Sequence, residues 1–206
     1  YNTVALDPGV RTFQTIYSSE GIVGKLGDNM VENIMDIGEK IDKLTSIRAK
    51  EKINKRKRKN LQKRMFKLRT KIKNIVKDLH FKTASFLCKN FKNIIIPKFD
   101  TQNMVSRLPY RARKISSKTA RNMLGLSHYL FRQRLEYVAS CYTDRKILIC
   151  REDYTWKTCG NCGTIKSNLG GSTIYKCDKC KIKIDRDING ARNILLKILS
   201  NKKLKI

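Results

Sequence analysis

The chain is 206 residues long, 40% hydrophobic, and carries 46 Lys and Arg against 17 Asp and Glu, a formal net charge of +29. That length and apolar content suffice for one sizeable domain with a small satellite and exclude a disordered tail. A positive charge this large favours a polyanion, of which phosphate backbones are the commonest. No stretch approaches the ~20 apolar residues of a membrane span and no signal-peptide pattern opens the chain, so a membrane partner is not expected and an intracellular, reducing compartment is.

In chain order, Asn2 to Leu6, Thr12 to Tyr17 and Ile22 to Lys25 are short β-branched or aromatic runs separated by the turn signals Asp7-Pro8-Gly9 and Ser18-Ser19-Glu20-Gly21, and they read as three antiparallel strands. A chain that enters a core strand at its first residues is expected to have sequence upstream of Tyr1. From Ile34 the period changes. Ile34, Ile37, Ile41 and Leu44, then Leu61, Met65, Leu68, Ile72, Ile75 and Leu79, recur at helical spacing and predict a helical hairpin over 34–90 with a narrow apolar seam.

Residues 48 to 73 carry fourteen Lys or Arg and one acid. A charge run is ordinarily a solvated helix face; with so few acids to pair against, Lys55, Arg56, Lys57, Arg58, Lys59, Lys63 and Arg64 read as a surface that tracks nucleic acid. The Lys55–Lys59 run also has the form of a nuclear-import patch. The expected compartment is therefore the nucleus for a eukaryotic host or a nuclear-replicating virus, and the cytoplasm otherwise.

Asn93-Ile94-Ile95-Ile96, stopped by Pro97, suits a buried strand. Residues 100 to 118 read as a surface loop. An amphipathic helix is predicted from Thr119 to Tyr142 with Leu124, His128, Phe131, Leu135, Val138 and Tyr142 on one face, followed by a fifth strand over Lys146–Cys150 and a last helix from Asp187. The order is mixed α/β.

Cys159-x2-Cys162 and Cys177-x2-Cys180, with fourteen residues between the pairs, have the spacing of a tetrahedral zinc ribbon rather than of two disulfides in so basic a chain. Four thiolates leave no open coordination position, so this zinc is structural. Cys88, Cys141 and Cys150 fall in apolar patterns and read as buried thiols.

Chemistry has to come from elsewhere. Asp7 ends the first strand, Glu152 follows the fifth, and Asp187 lies in the first turn of the last helix, where the dipole also favours an acid for capping alone. Clustered carboxylates are the ligands of Mg²⁺, and a pair of such ions activates water and stabilises a leaving oxygen in phosphodiester hydrolysis.

Three segments together resemble a known family. They are Asp7-Pro8-Gly9-Val10-Arg11, the run from Glu152 through Tyr154-Thr155 to Cys159-Gly160-x-Cys162-Gly163, and Asp185-Arg186-Asp187-x-Asn189-Gly190-Ala191-Arg192-Asn193. They look like the RuvC-like nuclease and zinc-ribbon half of TnpB proteins, with the Fanzor proteins of eukaryotes and giant viruses as the nearest likeness. The likeness also takes in the basic hairpin and the Met123–Phe131 segment.

The resemblance implies an RNase H-like α/β fold with a helical-hairpin insertion and a zinc ribbon inserted before the last helix. It divides the chain into a nuclease core over 1–152, a ribbon over 153–184 and a last helix over 185–206. It implies an RNA-guided DNA endonuclease, often labelled a transposase, with a guide RNA, a DNA target and catalytic Mg²⁺ as partners, and with most guide and target contacts upstream of Asp7. By motif, Asp7 is the first catalytic acid and Asp187 the last. TnpB proteins place the middle acid after the fourth strand, where this chain reads Ile96-Pro97-Lys98-Phe99-Asp100; Fanzor-like members resemble this chain in placing a Glu before the Tyr-Thr, which is Glu152. Glu152 is therefore preferred over Asp100 and Asp153. The rival reading is a DNA-binding protein that has lost one acid and cuts nothing.

Around the acids, Asp185 is expected to cap the last helix. Asn189 and Asn193 are expected to orient the acids or a scissile phosphate, with a local helix-capping role as the alternative for Asn189, and Arg151 and Arg186 either stabilise charge or offset carboxylate repulsion. Trp156 and Tyr154 either stack on nucleobases or cover the ribbon core. His80 and His128 read as packed or surface histidines, not bases.

Overall fold

In the computed structural model of the chain, which describes residues 2–50, 53–106, 115–151, 155–166, 170 and 172–200, strand β1 (Thr3–Pro8) runs antiparallel to β2 (Gln14–Ser18), which runs antiparallel to β3 (Val23–Leu26). Helices α1 (Asp28–Arg48) and α2 (Lys55–Asn90) form the hairpin, and β4 (Asn93–Pro97) returns beside β1 in parallel. Then follow α3 (Thr101–Val105), α4 (Ser117–Leu126), α5 (His128–Ser140), β5 (Lys146–Cys150), the small hairpin β6 (Ile174–Lys176) and β7 (Lys183–Asp185), and α6 (Arg186–Leu199). The main sheet has the order β3-β2-β1-β4-β5, with β5 parallel to β4. Three antiparallel strands followed by two parallel to the first is the RNase H-like arrangement implied above. It brings the C-terminal ends of β1, β4 and β5 to one edge.

Period-2 alternation divides the sheet's side chains between two layers. Val4, Leu6, Ile94 and Ile96 face Leu87, Phe131 and Leu135 of α2 and α5 in the main core. Ala5, Ile95, Leu148 and Cys150 face Ile194, Leu195 and Ile198 of α6. Asp7 has the parity of Ala5, and so stands on the α6 side. The hairpin seam forms its own cluster from Leu44, Leu61 and Met65, with Ile41, Ile53 and Leu68 against it.

The hairpin begins at Asp28 rather than at 34, because Val31 is also buried and extends the apolar face by a turn. The single helix expected from Thr119 to Tyr142 is two helices broken at Ser127, which takes left-handed φ of 49°. At that break the Leu126 carbonyl accepts from His80 Nε2 at 2.9 Å, and Leu124, expected on the apolar face, is 52% exposed. The 100–118 segment contains the short α3. Cys88 and Cys150 are buried as expected, but Cys141 sits just past the end of α5 and is exposed.

Both histidines are packed. They stack on either side of the buried Phe13 ring at centroid distances of 5.1 and 5.3 Å. Arg134 donates to His80 Nδ1 at 3.0 Å, so Nε2 carries the His80 proton. His128 Nε2 lies 3.1 Å from the Gly9 carbonyl and donates to it, tying α5 to the turn that follows Asp7. Burial pushes both imidazoles down to about 4.

Candidate active site

Asp7 pairs with Thr15 in the β1–β2 ladder, near the C-terminal end of its strand. Its carboxylate lies directly over α6. A Cβ built on Gly190 would sit 2.5 Å from Asp7 Oδ2, so only glycine lets the helix approach this closely. Asp187 is three residues before Gly190, on the same helix face, which places the second acid one turn from Asp7. The strand end and the helix start thus set Asp7 against the first turns of α6, the helix whose first turn carries Asp187.

The helix start is itself held. Asp185 Oδ1 accepts from the backbone N–H groups of Asp187 and Ile188 at 2.9 and 3.2 Å, the N-cap expected of it. Its other oxygen takes Lys25 Nζ of β3 at 2.8 Å. Burial acts to raise the Asp185 carboxyl, but the Lys25 bond and the two backbone donors outweigh it and hold the group below its ordinary range. Asp187 goes the other way. Burial and the neighbouring Asp185 charge raise it, against opposing charge from Lys25, Arg186 and Arg11.

Asp187 lines a cleft of roughly 180 Å³ together with Gly9, Val10, Arg11, Ser172, Thr173 and Arg186. Glu152, the expected middle acid, and Asp153 and Tyr154 beside it lie outside the described residues. The alternative Asp100 is exposed and begins the turn into α3. Just before it the Phe99 ring meets the His128 ring at 5.0 Å, so the chain after β4 has turned to the α5 side, away from α6.

The ribbon follows from two matching knuckles. Cys159 N–H donates to Thr164 O and Gly163 N–H to Cys159 O, each at 2.9 Å; Cys177 N–H donates to Ile182 O at 3.0 Å and Lys181 N–H to Cys177 O at 3.1 Å. Each turn needs a left-handed residue four places after its first cysteine. Gly163 supplies one at φ 74°, and Lys181 adopts the other at φ 61°.

The four sulfurs all lie within 4.8 Å of one another, with Cys159–Cys180 at 3.6 Å and Cys162–Cys177 at 3.5 Å. Those separations are far beyond a disulfide bond and close to the ~3.8 Å edge of a tetrahedron with Zn–S bonds near 2.3 Å. The donor set therefore fits zinc. Thr164 holds the Cys162 thiol down to about 6, whereas burial pushes Cys159 up to about 11.

Asn189 and Asn193 fasten this ribbon to α6. Asn189 donates to Thr158 O at 2.8 Å and accepts from Gly160 N–H at 2.9 Å, while Asn193 Nδ2 reaches Thr155 O and Thr158 O, each at 2.7 Å. Both side chains are buried. Their polar groups grip the first knuckle, 29 to 38 residues away, and not the start of their own helix, which Asp185 caps. Tyr175, buried in the ribbon core, donates to Lys157 O at 3.2 Å and joins the two halves.

On the hairpin, Lys55, Arg56, Lys57, Arg58, Lys59, Lys63 and Arg64 are all exposed. Among the described residues none of them reaches an acid at ion-pair distance, the α1 acids Glu39 and Asp42 being taken by Lys118 and Arg121 of α4. Folding adds Lys40 and Lys43 of α1, which join Arg64 and Lys67 of α2 around an open groove of roughly 450 Å³. Their separation in sequence hid this from the charge run. Among the described residues no helix is long and apolar enough to cross a membrane.

Residues 128–194 match the family model described as the Cas12f1-like TNB domain. TnpB-like protein L79 of Acanthamoeba polyphaga mimivirus is 34% identical over 196 residues, 94% of this chain. Over most of its length the chain is thus similar to TnpB-like proteins. A further relative, InsQ of Escherichia coli strain K12, named for a proposed RNA-guided DNA endonuclease activity, is 28% identical over 200 residues, 93% of this chain. The chain spans 37% of the length of the mimivirus TnpB-like protein and 48% of InsQ. Among solved structures, a protein chain of a Cas12f1–sgRNA–target DNA complex shares the fold, with a TM-score of 0.61 at 18% identity over 98% of this chain and 50% of that one.

Proposed function

We propose that this chain is the nuclease module of a TnpB-type RNA-guided DNA endonuclease, cutting DNA phosphodiesters at the edge where Asp7 and Asp187 meet. The observation that carries the reading is the close approach of β1 and α6 at Gly190, where the space of a side chain is given over to the Asp7 carboxylate. It makes sense as a seat for two carboxylates.

The residues fit Mg²⁺. The donors are hard carboxylate oxygens, Asp187 is desolvated beside Asp185 and raised accordingly, and a cation between the acids relieves that cost. Asp7, Asp187 and Glu152 would hold it. Glu152 is two residues past Cys150 in sequence, and β5 up to Cys150 packs on α6 through Leu148 and Cys150, whereas Asp100 follows a turn to the opposite side. When bound, Mg²⁺ supplies water activation and stabilisation of the leaving oxygen.

Lys25 and the Asp185 cap fix the α6 start, so Asp187 is presented without reorganisation. Arg11 and Arg186, at the cleft, attract the phosphate. The Asn189–Asn193 clamp holds the zinc ribbon, with Cys159, Cys162, Cys177 and Cys180 as zinc ligands, beside the cleft. The hairpin cations draw in the guide RNA and the DNA target. The test is Mg²⁺-dependent cleavage of DNA, which Asp7→Asn and Asp187→Asn should each abolish.

One observation favours a second reading, a DNA-binding protein without cleavage: β4 ends on Pro97-Lys98, with no carboxylate where TnpB relatives are expected to carry one. Whether the unmodified protein cuts decides between the two, and Glu152→Gln then tests the middle acid.

A further inference from the structure

Trp156 is the one tryptophan of the chain, and it is 42% exposed. An indole left this open at a turn has either a covering role or a ligand. It does not cover the ribbon core, which Tyr175, Cys159 and Cys177 fill with Cys162, Cys180, Ile182 and Ile184 against them. Two cations stand over its ring instead, Lys157 Nζ at 4.8 Å and the Arg186 guanidinium at 5.6 Å from the centroid.

The backbone beneath it is fixed from both sides. Thr155 is buried, and the carbonyls of Thr155 and Thr158 both accept from Asn193 Nδ2 at 2.7 Å. Arg186 connects this ring to the cleft. It precedes Asp187, lines the same cleft, and donates to Gly170 O at 3.1 Å.

We infer that Trp156 is a stacking platform for a base of the single DNA strand entering the cleft, with Lys157 and Arg186 taking the flanking phosphates. A flat, part-exposed ring with cations against its face is a setting that single-stranded nucleic acid uses, a base stacking on the exposed part of the ring and its phosphates drawing the charges to themselves. The rigid turn means that little ordering is needed on binding. The choice of DNA rests on the cleavage reading, since the platform adjoins Asp187; the stacking itself does not.

Because Trp156 is alone, intrinsic tryptophan fluorescence reports on this ring and no other. The test is a titration of the chain with oligothymidylate and with an abasic phosphodiester strand of equal length, without added divalent metal. Oligothymidylate should quench the emission and the abasic strand should leave it nearly unchanged. Read by the anisotropy of a labelled strand, since the variants carry no tryptophan, Trp156→Ala should weaken oligothymidylate binding by about ten-fold and leave abasic binding unaltered, with Trp156→Phe in between.

Equal quenching by the two strands, or unchanged affinity in both variants, would overturn the stacking role. Markedly tighter binding of oligouridylate would overturn the assignment to DNA. Since nothing is cut in this titration, a failure here is separate from a failure of Asp7→Asn or Asp187→Asn to abolish cleavage.

Discussion

Gly190 and Asp7 are packed so closely that a single added methyl would meet the carboxylate, its carbon 2.5 Å from Oδ2. The helix that carries one acid is thus docked on the strand that carries the other through the space a side chain would have filled. Gly190→Ala should push Asp7 aside by some tenths of an ångström. Misplacement of a reacting group on this scale costs on the order of 100-fold in rate, and overpacking costs about 1–3 kcal/mol. Cleavage should therefore fall far more than the melting temperature. Normal cutting by the Gly190→Ala variant would show the approach to be incidental.

The two buried histidines make stability depend on pH. Both titrate near 4 in the folded chain against about 6.5 when unfolded, so the unfolded state takes up protons first as pH drops. Their stabilising effect is complete above the unfolded value and is lost as pH falls from there towards 4. Each should cost about 2 kcal/mol at pH 5 relative to pH 7.5. Thermal melts at the two pH values should show the drop, and His128→Gln should remove close to half of it.

The ribbon should bind one zinc ion per chain through Cys159, Cys162, Cys177 and Cys180. Metal analysis of purified protein checks this, and a zinc content near zero would refute it. Asn193→Ala should keep the zinc, since the knuckles are closed by their own backbone bonds, yet free the ribbon from α6 at a cost of about 1–3 kcal/mol. Loss of zinc in that variant would mean that the clamp, not the cysteine geometry, organises the site.

Affinity for nucleic acid should fall steeply with salt. Changing Lys55, Arg56, Lys57, Arg58 and Lys59 to Gln should reduce the slope of log K against log salt by up to about 3.5 for a single strand. An unchanged slope would assign the run to a solvated face or an import signal.

Much of this was legible before the structure. The first three strands and β4 follow from β-branched runs between Gly, Pro and Ser turn signals, and the cysteine spacing announces the ribbon. The break at Ser127 was hidden because Leu124-Gly125-Leu126-Ser127 holds no proline and the apolar spacing runs on through it. The left-handed Lys181 had no signal beside the obvious Gly163. Asn189 and Asn193 looked equally suited to an active site and to a local role, since spacing does not say what lies opposite. The pairing of Asp7 with Gly190 is a tertiary fact between residues far apart in sequence, and the acids were singled out by family resemblance rather than by periodicity.

The most direct measurement is Mg²⁺-dependent cleavage of single-stranded DNA by the protein expressed from its complete reading frame with its co-purifying RNA. Asp7→Asn, Glu152→Gln and Asp187→Asn should each abolish cutting while retaining nucleic-acid affinity, because affinity rests on the Lys and Arg surface. Asp100→Asn and Asp153→Asn should cut at close to the wild-type rate. Normal cutting by Glu152→Gln with a dead Asp100→Asn would move the middle acid to the end of β4, and a wild-type protein that cuts under no divalent metal would contradict the nuclease itself.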